Sequence, residues 1–347
     1  MNNDIIIAFV PAWSVLALVL AASAALTAAL IWALTPLMRR YAMARPSARG
    51  LHATPTPQGG GLAIMIAIAT LCAAGFLYVG APASLAPKQA LTLLIAASVM
   101  AALGAADDIF NLPAAPRLAA QFAAAGAVVW SAPFSLIAGF GDVALVAGLA
   151  AATVGLVWFV NLTNFMDGMD GMTVVGFGGP ALFAALANLL GDGDPAIGLI
   201  ALAAVGGLIG FFPFNAPRAR LFLGDVGSLS LGLIVGTALL CLALADRPVA
   251  ALIAPLYYFS DATITLFLRW RRGENLSQAH RTHFYQRAVA GGMSAWGVLA
   301  RVGALNLALA GLASAALRAA SIAAQLGLLA AAAALVALTL RRLARGA

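Results

Sequence analysis

Residues 5–34, IIIAFVPAWSVLALVLAASAALTAALIWAL, run for thirty positions without a charged side chain. A helix rises 1.5 Å per residue, so about twenty such residues cross the ~30 Å hydrocarbon layer of a bilayer. No basic segment precedes the stretch, and its apolar part is longer than a cleaved leader needs, so it is expected to be a retained helix. The pattern continues outward from it. The whole chain of 347 residues is 63% apolar and 9% charged, where a soluble domain carries roughly 25% charged residues. That balance excludes an ordinary soluble protein and makes lipid the solvent of most of the surface.

Gly, Pro or charge punctuates the apolar segments at 5–34, 59–80, 89–106, 118–138, 143–160, 173–190, 196–214, 229–245, 249–268, 295–316 and 321–340. The expected fold class is therefore all-α: a polytopic integral membrane protein of about eleven transmembrane helices, a single domain over 1–347, with its site built from connections on one face. Cys72 and Cys241 stand alone in apolar segments, which offers neither a disulfide framework nor a CxxC metal site.

Basic residues set the orientation, because Lys and Arg near helix ends stay on the cytoplasmic side. Of the 19, only Lys88, Arg247 and Arg318 fall on one set of alternate connections, and the rest, from Arg39 to Arg345, fall on the other. Eleven spans then place the N-terminus outside the cytoplasm and the C-terminus within it. The net charge of +7 is explained by this topology and by attraction to anionic headgroups. Basic residues split among short loops do not form the stripe that a nucleic acid requires.

Acidic residues are the informative minority, twelve in all with Glu274 the single glutamate. Asp107, Asp108, Asp167, Asp170, Asp225 and Asp261 come from four parts of the chain that share the cytoplasmic side. The adjacent pair in GAADDIF (104–110) repels unless a cation or proton relieves it; a solvated helix end is the plainer reading. In VNLTNFMDGMDGM (160–172), Asn161, Asn164, Asp167 and Asp170 recur every third position, which keeps them on nearby faces of a helical turn. Amides and carboxylates so placed can read a uracil-like edge or hold phosphate-bound metal, or they can simply cap a loop.

RARLFLGDVGSLSLG (218–232) presents Asp225 between glycines, with Ser228 expected to cap the eighth helix. Phe222, three residues earlier, suits either base stacking or an interfacial anchor. RWRRGENLSQAHRTHFYQRA (269–288) holds His280 and His283 among Arg281 and Arg287, a set suited to phosphate oxygens more than to zinc, though a histidine pair can also pack an interface. The first connection adds His52 and the run Gly59–Gly61, which can cradle phosphate or let helices approach. Asp261 lies about two turns inside the ninth span and needs a partner, with a cytoplasmic arginine the candidate.

In order, PTPQGGG (55–61), GAADD (104–108) with Arg117 and Gln121 downstream, NLTNFMDGMDG (161–171), FLGDVGS (222–228) and HRTHFYQ (280–286) resemble the polyprenyl-phosphate N-acetylhexosamine-1-phosphate transferases, over about residues 39 to 290. The resemblance implies transfer of a sugar 1-phosphate from a UDP-N-acetylhexosamine to undecaprenyl or another polyprenyl phosphate, with release of UMP and Mg²⁺ as cofactor, Mn²⁺ being the alternative. It implies catalytic roles for Asp107, Asp108, His280 and His283, and metal binding by Asp225 with Asp108. Substrate contacts would come from Arg117, Asn161, Asn164, Asp167, Asp170, Phe222, Arg281 and His52. Gln278 and Ala279 before His280, in place of a triple-histidine or aspartate-led motif, resemble the O-antigen-initiating branch. A homodimer is left open. The rival class is an ion-coupled transporter, whose acids belong near the bilayer midplane, whereas five of the six aspartates here sit at the boundary.

Overall fold

A computed structural model describes residues 13–44, 55–79, 88–132, 141–276, 278 and 280–345. Its helices are α1 (Trp13–Tyr41), α2 (Gly60–Val79), α3 (Lys88–Phe110), α4 (Ala114–Ser131), α5 (Asp142–Met166), α6 (Gly178–Ala187), α7 (Pro195–Asn215), α8 (Asp225–Leu244), α9 (Pro248–Ile253), α10 (Leu256–Arg271), α11 (Phe284–Ala290), α12 (Ala295–Arg318) and α13 (Ile322–Arg345). Two-residue strands β1 (Met43–Ala44) and β2 (Thr56–Pro57) pair antiparallel and form the one sheet among the described residues.

Within the described residues, each expected apolar segment lies mostly on helix. Among the described residues, eight runs are long and apolar enough to cross a bilayer by themselves: α1, α3, α5, Thr173–Asp192, α7, α8, α12 and α13. Gly60–Gly75 of α2 is a shorter apolar helix. The remaining expected crossings are α4 and the pair α9 and α10, which are separate helices divided at Ala254 and Pro255. The chain is a multi-pass membrane protein. Its outer surface agrees, since Trp32, Val143 and Leu307 are 79%, 86% and 75% exposed, a state that only lipid contact makes inexpensive.

Between helices lipid supplies no hydrophobic drive, so close packing and interhelical polar contacts hold the bundle. The centre is α8, buried almost throughout and packed against α2, α3, α5, α6, α7 and α9. Single-turn π segments, Thr173–Phe177 and Asn188–Asp192, flank α6. The first leaves carbonyls that Asn306 of α12 satisfies, with Nδ2 donating to Val175 O at 3.2 Å and Gly176 O at 2.8 Å. Such a bulge tilts the chain just after Asp170 without orphaning backbone groups.

Two boundaries differ from expectation. Helix α5 continues six residues past the expected end at 160, because Asn161 and Asn164 find partners inside the bundle and so need not leave the helix. Helix α8 starts at Asp225, three residues before Ser228, with Gly224 at its N-cap and no side-chain cap of its own. The cap comes from another helix: the Asp108 carboxylate of α3 accepts from the amides of Asp225 (3.0 Å) and Val226 (3.3 Å). An anion on the first free amides of a helix satisfies them and meets the positive end of its dipole.

Candidate active site

The motifs meet at one end of the bundle through direct bonds. The amide of Phe222 donates to Pro57 O, and those of Gly60 and Gly61 to Phe222 O and Leu223 O, each at 2.9 Å. Gln58 Nε2 donates to Asp108 O at 2.9 Å. The Gly59–Gly61 run therefore serves helix approach: two of its three amides are already engaged by the next motif. Gly104 does the same for the aspartate pair. A Cβ there would stand 2.3 Å from the carbonyl atoms of Asp225, so only glycine lets α3 lean on the start of α8 with Asp107 and Asp108 beside Asp225.

Arg117, on α4, bridges the acids. Its Nη1 is hydrogen-bonded to Asp107 Oδ2 and lies 3.6 Å from Asp225 Oδ2. Asp107 Oδ1 also accepts from the amide of Leu112 at 2.7 Å. The Arg117 Nε is buried without a hydrogen-bond partner among the described residues. A donor left so is costly unless a ligand oxygen completes it. Asn164 holds the other side of Asp225, with Nδ2 at 2.7 Å from Oδ1 and 2.9 Å from Ser228 Oγ. Ser228 is thus a buried prop for Asn164. One turn earlier, Asn161 Nδ2 donates to Gln121 Oε1 at 2.6 Å.

These groups wall a cavity of about 300 Å³, to which Arg117, Gln121, Asn161, Asn164, Asp225, His280 and His283 contribute polar atoms and Leu118, Phe165, Leu229, Leu266 and Leu276 apolar ones. Of the residues predicted from sequence, five besides Asp225 stand on this wall: Arg117, Asn161, Asn164, His280 and His283. Asp107 and Asp108 lie directly behind Arg117 and Asp225.

The remaining predicted residues take other places. Asp167 terminates α5 and accepts from Thr173 Oγ1, while Asp170 Oδ2 accepts from the amides of Arg218 (3.0 Å) and Ala219 (2.9 Å). Spacing by three keeps one face only while the helix lasts, and α5 ends at Met166. Phe222 is fixed by its backbone and is absent from the cavity wall. Arg281 is exposed, also off that wall. His52 lies outside the described residues.

Asp261 has its partner, and it is not an arginine. Buried completely, it accepts from Phe284 N at 3.0 Å, sits 3.2 Å from His283 Nδ1, and meets Tyr257 Oη at 3.2 Å and Thr265 Oγ1 at 3.4 Å. The nearest arginine on its own helix, Arg269, is two turns away and pairs with Glu274 at 2.7 Å. His283 Nδ1 faces Asp261, its ring also accepts from the backbone amide of Gln286 in the first turn of α11, and the ring lines the cavity. His280 stacks beside it with ring centres 4.9 Å apart, its Nδ1 2.9 Å from Thr282 Oγ1.

Sequence reasoning gave Gln121 no role beyond its place in a motif, read Ser228 only as a helix cap, and passed over Tyr285 and the link from Asp261 to His283. Gln121 had a signal, since it lies one helical turn after Arg117 and so on the same face. Tyr285 had none. Its hydroxyl accepts from Gly168 N at 3.1 Å and joins two segments 117 residues apart.

Among the described residues no three carboxylates, imidazoles or thiols gather closely enough to hold a metal by themselves. Asp107, Asp108 and Asp225 nevertheless set three carboxylates against the single guanidinium of Arg117. Mg²⁺ usually takes one or two protein carboxylates and completes its shell with water and substrate phosphate. The donor set fits that kind of ion and not a dedicated protein cage.

Residues 90–243 match the family model described as Glycosyl transferase family 4. A decaprenyl-phosphate N-acetylglucosaminephosphotransferase of Mycolicibacterium smegmatis is 32% identical, covering 78% of this chain and 75% of that protein. A probable undecaprenyl-phosphate N-acetylglucosaminyl 1-phosphate transferase of Bacillus subtilis is 25% identical over 75% of each. A phospho-N-acetylmuramoyl-pentapeptide-transferase of Limosilactobacillus reuteri is 43% identical over a stretch covering 22% of this chain and 25% of that protein. With these relatives and with its polar groups drawn to one end of a membrane bundle, the chain belongs to the polyprenyl-phosphate N-acetylhexosamine-1-phosphate transferases of glycosyl transferase family 4, and is an enzyme of that family.

Proposed function

We propose that this enzyme transfers an N-acetylhexosamine 1-phosphate from a UDP-sugar to undecaprenyl phosphate or another polyprenyl phosphate, releasing UMP, at the cytoplasmic face of a bacterial inner membrane. The observation that carries the reading is Asp225. It stands on a cavity wall between Arg117 and Asn164, with His280 and His283 on the same cavity. The basic residues of the flanking connections support the cytoplasmic assignment, and the donor set described above supports Mg²⁺.

Acceptor access has a structural counterpart. A mainly apolar cleft of about 240 Å³ runs between α5, α8, α9 and α10, walled by Phe159, Leu239, Leu252 and Phe259 among others. On α5 its last residue, Phe159, is two positions before Asn161 of the polar cavity. A polyprenyl chain in this cleft would bring its phosphate toward Asp225 from the side.

The chemistry asks for positioning and charge neutralisation more than for covalent work. A phosphate oxygen of the acceptor forms a bond to the sugar-bearing phosphorus, the bond from that phosphorus to the UMP oxygen breaks, and UMP departs. Mg²⁺ held by Asp225, with Asp107 or Asp108 beside it, would neutralise charge on the diphosphate. Arg117 donates through Nε and its terminal nitrogens to phosphate oxygens. His283, oriented by Asp261, and His280 donate to the departing phosphate. Asn161, Asn164 and Gln121 offer amides for the uracil or acetamido group. Asp107, doubly bonded to Arg117 and Leu112, is better suited to hold Arg117 than to take a proton, and an ionised acceptor phosphate has none to give.

The N-acetylglucosamine phosphotransferases among its relatives support that sugar, while Gln278 before His280 supports the O-antigen-initiating branch of lipopolysaccharide biosynthesis; a panel of UDP-N-acetylhexosamines and their 6-deoxy forms decides between them. The central test is Asp225→Asn in detergent-solubilised protein given donor, undecaprenyl phosphate and Mg²⁺. UMP release should fall at least about a hundredfold, as expected when a group stabilising transition-state charge is lost. Turnover within a few fold of wild type would refute the assignment.

A further inference from the structure

A second cavity, of about 320 Å³, lies behind the histidine segment, walled by Arg269, Arg272, Arg287, Thr265, Thr282 and Phe284. Residues 280–284 separate the two spaces: His280 and His283 line the first, Thr282 and Phe284 the second. Sequence groups Arg287 with the histidines at one phosphate. The structure turns it away on α11, its guanidinium 5.8 Å from the centre of the Phe284 ring.

The charge of this cavity is unbalanced. Arg269 is buried and committed, with Nε at 2.7 Å from Glu274 and Nη2 at 2.8 Å from Asn275 O. Arg272 shares the same carboxylate at 3.6 Å with 58% of its side chain exposed. Two guanidiniums, those of Arg269 and Arg272, share the Glu274 carboxylate, and Arg287 adds a third positive charge to the wall. The depth is that of lipid headgroups. The outer face of α10 exposes Ile264, Phe267 and Trp270, and tryptophan settles at the membrane interface. Helix α13, with Arg342 and Arg345 in its last turn, packs against both α10 and α11. An anion at this depth finds the guanidiniums of Arg272 and Arg287, the Thr282 hydroxyl and an apolar ring on one wall, a set suited to a phosphate with its chain beside it.

We propose that this cavity binds a phosphate oxyanion at headgroup depth, supplied by an anionic lipid or as free phosphate, and that its occupancy steadies the histidine segment. Thr282 and Phe284 form its inner wall. Thr282 Oγ1 is 2.9 Å from His280 Nδ1 and the Phe284 amide is bonded to Asp261, so a ligand that fixes them fixes both imidazoles. Arg272 and Arg287 are then positioning residues. The coupling rests on the transferase reading; the binding does not.

The experiment uses the full chain in nanodiscs of phosphatidylcholine with or without phosphatidylglycerol, and in phosphatidylcholine discs titrated with sodium phosphate. Retained phosphatidylglycerol and UMP release are both measured. Wild type should retain the anionic lipid and turn over faster with it. Arg272→Gln with Arg287→Gln should lose about thirtyfold in lipid affinity, equivalent to about 2 kcal/mol at about 1 kcal/mol per arginine, and the ratio of turnover in the two discs should fall to about one. The Lys pair should restore most of both, and Arg39→Gln with Arg40→Gln should change neither. Stimulation by sodium phosphate with no further gain from the lipid identifies free phosphate as the source; the reverse identifies the lipid. Unchanged lipid retention in the Gln pair, or equal loss in the Arg39 and Arg40 pair, overturns the site. Retention without any effect on turnover overturns the coupling. Lipid retention by a wild type that turns over no UDP-sugar would sink the transferase reading and leave the site standing.

Discussion

Replacing Asp261 tests whether the buried carboxylate is what aims His283. The wild-type group accepts from Phe284 N at 3.0 Å and from Tyr257 Oη at 3.2 Å, and faces His283 Nδ1 at 3.2 Å with no exposure to solvent. Asp261→Ala strands an amide and an imidazole nitrogen, and removing one partner of a buried pair costs about 3–5 kcal/mol. Asp261→Asn keeps an acceptor oxygen of the same shape toward Phe284 and His283, so its cost should be about 1 kcal/mol. The two variants therefore separate folding from function. Unfolding by SDS in mixed micelles, followed by tryptophan fluorescence, should show the large loss for Ala and the small one for Asn. UMP release from the still-folded Asn variant should nevertheless drop about tenfold to a hundredfold, because a neutral amide sets no negative charge behind the imidazole that faces the phosphate. The reasoning is refuted if Asp261→Ala is destabilised by less than about 1 kcal/mol, or if Asp261→Asn keeps full turnover.

Gly104→Val places a side chain where 2.3 Å is left to Asp225; overpacking of this kind costs about 1–3 kcal/mol, and UMP release should fall well beyond that of Gly75→Val, where nothing lies within 4 Å. Equal activity of the two variants would show that the approach of α3 to α8 is not needed. Arg269 beside Glu274 holds that carboxyl below the usual carboxylate range, so the ion pair supports the connection after α10 at pH above about 4.3 and is lost as pH falls through the depressed folded value. Proteolysis between 272 and 283 should accordingly be flat from neutral pH to about pH 5 and rise only in stronger acid. Glu274→Gln should be cut faster than wild type from neutral pH to about pH 5 and converge with it in stronger acid, and a variant as resistant as wild type at neutral pH would remove the pair from the account.

Composition alone made lipid the solvent, since 9% charge cannot cover a soluble surface, and apolar length then marked the segments that became helices. The acids were legible for the same reason: carboxylates at a membrane boundary are costly, so Asp107, Asp108 and Asp225 stood out before any contact was known, Asn161, Asn164, His280 and His283 followed from motif spacing, and Arg117 from the family resemblance. What spacing could not reveal was direction. Asp167 and Asp170 continue the period of Asn161 and Asn164, yet the helix stops at Met166 and sends them elsewhere; Arg287 neighbours the histidines in sequence and faces the opposite cavity. Nor could it reveal that Asp108 caps α8 or that Asp261 aims His283, because each bond joins helices distant along the chain. Hydrophobic length is a local property and is written in the sequence, whereas the partner of a buried charge is chosen only when the bundle closes and each polar group must find the nearest complement that packing leaves within reach.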